Sequence, residues 1–187
     1  MTTGTNKAMY YDAAGLDYIS TPSFAIPNTG ILTIEAWMKS QFNATYHQAI
    51  IGDSGFSTTV GFLLMYRSLN TNELHYQYAN GIGAPHPLFS YFFTDLDNQY
   101  IHIVVVCDYV NKTLKAYRNG VQFGVTQNLT GTPVFPSVAR VKYIGAYDTV
   151  VRNIADGSLD DVRIYNRALS ADEISQIYNQ TKSKYGY

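Results

Sequence analysis

A chain of 187 residues is sized for one domain. Its net charge of −1, with 13 basic and 14 acidic side chains spread along it, supplies no field to hold phosphate backbones or anionic lipid. Seventeen Tyr and nine Phe beside only 14% charged residues favour strands over surface helices. The lone Cys107 excludes an intrachain disulfide and a thiolate metal cluster, and no segment offers the roughly 20 apolar residues of a membrane helix.

The first stretch, MTTGTNKAMYYDAAGLDY, has neither a basic leader nor a continuous apolar run, so no secretory signal is read there. Short alternating apolar runs broken by turn residues then predict strands over Ala8–Ala13, Tyr18–Thr21, Ile31–Lys39, Ala49–Asp53, Gly61–Tyr66, Glu73–Ala79, Tyr100–Asp108, Thr113–Arg118, Val121–Val125, Arg140–Ala146 and Gly157–Tyr165. So many strands in one domain imply a sandwich. Leu32, Ile34, Ala36 and Met38 alternate with Thr33, Glu35, Trp37 and Lys39, which predicts one core face and one amphipathic face. In Ile101–Cys107 both alternating sets are apolar apart from His102, so that strand is expected to lie centrally, covered on both faces, with Cys107 a buried, inert thiol. Asn119-Gly120, between two strand-like runs, predicts a tight type I′ hairpin.

The one predicted helix lies in ALSADEISQIYN. Ser170 suits the N-cap, Glu173 completes a capping box, Leu169 is placed to staple against Ile174, and Ile174, Ile177 and Tyr178 share one side. The stretch Asn80–Pro87 reads as a surface loop.

The block GSLDDVRIYNRALSADEISQIYN resembles the carboxy-terminal signature of laminin-G-like domains in the concanavalin A-like lectin and glucanase superfamily. AMYYDAAGLDYIST, ILTIEAWMKS and IHIVVVCDYVNKTLKAYRNG resemble earlier blocks of the same family in the same order, so the likeness reaches from about residue 8 to residue 180. One departure is that Tyr100 and Ile101 stand where the family usually has a Trp before the His of the central strand. The resemblance implies a single all-β domain, a concanavalin A-like jelly-roll sandwich of two antiparallel sheets with one short C-terminal helix. It also implies modules that bind glycans or proteins, often with a structural calcium ion, and relatives that are glycosidases.

Hydrolysis of a glycoside needs two carboxyl groups facing each other, about 5.5 Å apart for retention and about 6.5–9.5 Å for inversion. The sequence has only Glu35, Glu73 and Glu173, lacks the E-x-D-x-E strand of the family's glucanases, and places Asp172 where a helix dipole accounts for it. His47, His75, His86 and His102 show no metal-ligand spacing, and no G-x-S-x-G elbow is present. No catalytic residue is assigned, and the chain reads as a non-enzymatic recognition or adhesion module. Tyr66, Arg67, Tyr76, Tyr78, Tyr147 and Asp148, at strand ends or on one strand face, are the candidate glycan-binding residues, because flat rings take sugar C–H faces while Tyr and Arg supply hydrogen bonds. Asp12, Asp17, Asp156 and Asp160 are the candidate calcium ligands, since the first and last strands of such a sandwich are neighbours. Trp37 is assigned to packing.

The expected partner is a glycan or glycoprotein surface, with an extracellular or virion-surface location and no nucleic acid or membrane insertion. The alternative is a virion-surface or capsid decoration subunit that docks into a larger assembly or onto copies of itself; glycoside hydrolysis is the remaining reading.

Overall fold

Strands form where β-branched and aromatic residues alternate and stop where Gly, Asn and Pro gather. The computed structural model describes residues 9–11, 18–40, 48–53, 61–67, 72–81, 85, 87–94, 98–146 and 157–187. Its strands are β1 (Met9–Tyr11), β2 (Ile19–Ser20), β3 (Ile31–Ser40), β4 (Gln48–Asp53), β5 (Phe62–Arg67), β6 (Glu73–Tyr78), β7 (Leu88–Phe89), β8 (Tyr100–Asp108), β9 (Thr113–Arg118), β10 (Val121–Asn128), β11 (Lys142–Ile144) and β12 (Gly157–Tyr165). They form two antiparallel sheets, β1-β12-β3-β8-β9-β10 and β2-β11-β4-β5-β6-β7, which is the sandwich implied by the sequence. Helix α1 spans Ala171–Thr181, and a 3-10 turn follows over Lys182–Tyr185.

The strands over Tyr100–Asp108, Thr113–Arg118 and Gly157–Tyr165 match their sequence-based bounds. β7 was not expected: two residues paired with Leu74 and His75 are too few to show alternation. The last strands differ in length as well. β10 runs on to Asn128 past an irregularity between Phe123 and Gln127, and β11 keeps only the middle of Arg140–Ala146.

The core lies between the sheets. Leu32, Ile34, Ala36 and Met38 of β3 and Ile101, Ile103, Val105 and Cys107 of β8 meet Phe62, Leu64 and Tyr66 of β5 and Leu74, Tyr76 and Tyr78 of β6. Each large apolar side chain buried here contributes about 1.5–3 kcal/mol. The buried tyrosines keep polar partners. Tyr76 and Tyr109 share a hydroxyl contact of 2.6 Å, Tyr66 donates to Asn72 Oδ1 at 3.1 Å, and Tyr78 donates to the Thr130 carbonyl at 3.2 Å. Burial pushes the Cys107 thiol up to about 12, so it stays protonated and inert.

The opposite face of β3 departs from the expected amphipathic strand, since Thr33, Glu35 and Trp37 are fully buried. The cover is the carboxy-terminal segment. Ser170 Oγ accepts the Glu173 N–H at 3.1 Å while the Ser170 N–H donates to Glu173 Oε2 at 2.7 Å, so α1 starts at a closed capping box. Leu169 and Ile174 then pack with Val104, Val106 and Tyr117 on the outside of β8 and β9. Beyond α1, the Tyr185 ring stacks on Trp37 with centroids 4.0 Å apart.

The β9–β10 hairpin is fixed by Asn119 at φ 52° and Gly120 at φ 80°, the paired positive angles of a type I′ turn. A Cβ at Gly120 would come within 3.0 Å of Tyr178 Cβ. Gly120→Ala is therefore expected to lower the unfolding free energy by about 1–3 kcal/mol, from backbone strain and from displacing α1. Urea titration is the measurement, and an unchanged midpoint would show that this turn and its contact with α1 carry no such constraint.

Candidate functional site

On the outer face of the first sheet, the register of β12 against β3 sets the chemistry. Asp160 lies opposite Trp37 and Arg163 opposite Glu35, so β12 uses an extra residue between them, with Asp161 at φ 48°. That bulge puts Asp160, Arg163 and Tyr165 on the same outer face as Trp37, Glu35 and Thr33. Glu35, with no exposed surface, accepts Arg163 Nη1 at 2.8 Å and the Tyr165 hydroxyl at 2.5 Å, and His102 Nε2 lies 3.3 Å away. Burial raises the Glu35 pKa, but hydrogen bonds with His102 and Tyr165 and the Arg163 charge outweigh it and hold the carboxyl below its ordinary value.

The other two glutamates are also engaged. Glu73 Oε2 is 2.7 Å from His75 Nε2, and Glu173, in the capping box, pairs with Arg167 Nη1 at 2.8 Å. Among the described residues, none of the three faces a second carboxylate across an open cleft.

Three of the expected glycan contacts need correction. Tyr66, Tyr76 and Tyr78 are 0%, 1% and 0% exposed, because on β5 and β6 the face they share is the one that enters the core. They pack the sandwich and present nothing to a ligand. The Arg67 side chain, Tyr147 and Asp148 lie outside the described residues, as do Asp12, Asp17 and Asp156. Asp160, the remaining expected calcium ligand, has both oxygens occupied. Oδ1 accepts the Asp161 N–H at 2.8 Å, and Oδ2 lies 2.8 Å from Lys184 Nζ and 3.0 Å from the Tyr185 hydroxyl. Asp160 is thus engaged by Lys184, Tyr185 and the Asp161 backbone, while the other three expected ligands lie outside the described residues. Among the described residues no group of three or more His, Cys, Asp or Glu is placed to hold a metal ion.

The same outer face carries a polar groove. The β8–β9–β10 register sets Asp108 against Thr113, Val106 against Lys115, and Val104, Tyr117 and Gln122 in one row. Alternation then turns Thr113, Lys115 and Tyr117 outward together. The run Ala168–Ala171 and Glu173 wall this patch on one side, leaving a groove of about 440 Å³. Tyr117 and Val106 form its buried floor, while Lys115 and Gln122 are exposed. The Asp108 carboxylate is taken up by the following turn, where it accepts the N–H groups of Val110 and Asn111 at 3.0 and 2.8 Å. Thr113, Lys115 and Gln122 are thus the groups presented to a ligand. Sequence reasoning missed them, although alternation around Asn119-Gly120 already places Thr113, Lys115 and Tyr117 on one face.

A two-sheet jelly roll with a helix-walled polar groove belongs among lectin-like folds. A family model described as the concanavalin A-like lectin/glucanases superfamily matches residues 13–175, and the chain belongs to that family in its laminin-G-like branch. No curated protein sequence matches it. Among solved structures it resembles the botulinum neurotoxin serotype D binding domain, at 15% identity and a TM-score of 0.66, over 88% of this chain and 40% of that one. The serotype D ligand binding domain in complex with N-acetylneuraminic acid gives 16% identity and a TM-score of 0.64, over 95% and 47%. A heptameric SAP-like pentraxin from Limulus polyphemus gives 16% and 0.65, over 93% and 77%. This chain spans less than half the length of those neurotoxin domains. No helix among the described residues is long and apolar enough to cross a membrane.

The Glu35 cluster gives a signed expectation. Its folded pKa lies below its ordinary value of 4.5, so on acidification the unfolded chain takes up the proton first. The stabilisation is complete above that ordinary value and is lost as the pH falls through the lower, folded value. Glu35→Gln is expected to cost about 3 kcal/mol at neutral pH by stripping a buried cluster of its anion. It should also flatten the acid limb of stability against pH, measured by urea unfolding. Parallel curves for variant and wild type from about pH 5 to 3 would contradict this assignment.

Proposed function

We propose that this chain is a non-catalytic recognition module that binds glycans in the groove beside α1. The observation that carries the reading is the engagement of all three glutamates: Glu35 in a buried ion cluster, Glu73 against His75, Glu173 in the helix cap. In a family of lectins and glucanases, a fold that spends its glutamates on structure favours binding over hydrolysis. The groove supplies what a sugar requires: an apolar floor at Tyr117 and Val106 for ring C–H groups, and a hydroxyl, an ammonium and an amide from Thr113, Lys115 and Gln122 for its oxygens. The sialic acid complex of the serotype D domain supports the reading as a fold-level analogy only, because this chain corresponds to less than half of that domain.

A glycan array run with calcium and with a chelator tests both the function and the expected metal. At least one glycan is expected to be retained, and Lys115→Ala and Gln122→Ala are each expected to weaken it about fivefold by titration calorimetry, the scale of one hydrogen bond, with an unchanged melting temperature. Retention of no glycan under either condition would end the reading. Wild-type affinity in both variants would move the site elsewhere.

A further inference from the structure

The polar groove beside α1 is lined by charges of both signs. Among the described residues that line it, Asp108 and Glu173 carry carboxylates and Lys115 is the one cation. Thr113, Gln122 and Ser170 add uncharged hydroxyl and amide groups above the apolar floor.

Both carboxylates have partners, yet both keep their charge. Asp108 Oδ1 accepts the N–H groups of Val110 and Asn111, and its Oδ2 accepts Asn111 Nδ2 at 2.8 Å. Neutral donors of this kind hold an anion in place and favour its charged form. Glu173 Oε2 accepts the Ser170 N–H, and Oε1 lies 2.8 Å from Arg167 Nη1 in a pair about half exposed to solvent. The Ser170 hydrogen bond, then Arg167, hold the Glu173 pKa below its ordinary value, so this wall stays anionic at neutral and mildly acidic pH. The positive end of the α1 dipole abuts the same wall, but Asp172 and Glu173 occupy its first turn and the capping box is closed.

Arg167, outside the lining, offsets Glu173, and Lys115 offsets Asp108, so these residues leave no surplus cation in the groove. A carboxylate or sulfate that entered would shed part of its hydration, meet two like charges and find no unmatched cation. A sugar hydroxyl both donates and accepts, so it suits a lining of mixed sign, whereas an ionised acid only accepts. We propose that this groove selects uncharged, hydroxyl-rich glycans and rejects their acidic counterparts, a selectivity that rests on the glycan reading of the same groove. Repulsion from Asp108 and Glu173 supplies the discrimination.

The test is an array that sets neutral glycans beside acidic counterparts: galactose beside galacturonate, and N-acetyllactosamine beside its sulfated and sialylated forms. Neutral members are expected to be retained about tenfold more tightly at low salt, the scale of one or two screened like-charge contacts. Raising the salt to about 0.5 M should narrow that ratio to about threefold or less, because exposed charges are screened. Asp108→Asn combined with Glu173→Gln should narrow it at low salt, and both changes keep the oxygen acceptors that the turn and the capping box use. Acidic members retained as tightly as neutral ones would overturn this selectivity and leave glycan recognition standing. A ratio untouched by both salt and the double variant would also overturn it, since the discrimination would then lie outside these charges. Retention of no glycan at all would remove the glycan reading and this selectivity together.

Discussion

The rest of this structure depends on the need to cover the outer face of the first sheet. β8 is apolar on both sides, and β3 carries Trp37 and Glu35 on its outer side, so a bare two-sheet sandwich would leave Val104, Val106, Trp37 and an unshielded carboxylate in water. The carboxy-terminal segment answers this in two parts. Helix α1 lays Ile174 over Val104 and Val106, and the following turn sets Tyr185 on Trp37. Tyr178 stacks on the same indole at 5.8 Å and closes over Gly120, which ties the helix to the β9–β10 hairpin. Each such aromatic pair adds about 0.5–1.5 kcal/mol beyond the area it buries.

That cover also decides what the buried charges can do. With water excluded, Glu35 is tolerable only because Arg163, Tyr165 and His102 surround it, and the β12 bulge is what brings Arg163 into reach. The same bulge holds Asp160 and Asp161 against Tyr185 and Lys184, so the electrostatic cluster and the aromatic stack close together. Among the described residues beneath this cover, Trp37 Nε1 and His102 Nδ1 are buried without a hydrogen-bond partner. Each costs about 1–3 kcal/mol, which the surrounding ring packing offsets. Where the cover stops, at Ala168–Glu173, the sheet's outer face reappears as the polar groove.

Much of this was legible in the sequence, for identifiable reasons. The long strands, the Asn119-Gly120 turn and the Ser170–Glu173 cap are local patterns, and each appears where its residues place it. The failures share one cause: a period of two separates the two faces of a strand without saying which is inside. Tyr76 and Tyr78 share one face of their strand and Tyr66 lies at a strand end, and the sequence assigns all three to the surface, yet all three enter the core. Thr33 and Glu35 were placed outside and are buried, because the element that covers them follows more than a hundred residues later. The groove was invisible for the same reason, since it joins strands to a distant segment of chain.

Trp37 is the sole tryptophan, so its emission reports directly on whether the carboxy-terminal segment closes this face. The decisive measurement compares the fluorescence maximum and acrylamide quenching of the full chain with those of a chain ending at Thr181, which lacks Tyr185 and Tyr187. The expected result is a blue-shifted, shielded indole in the full chain and a red-shifted, readily quenched one in the shortened chain, with a lower melting temperature. An indole equally shielded in both would contradict the account, because Trp37 would then be buried by something other than the stack that Tyr185 makes.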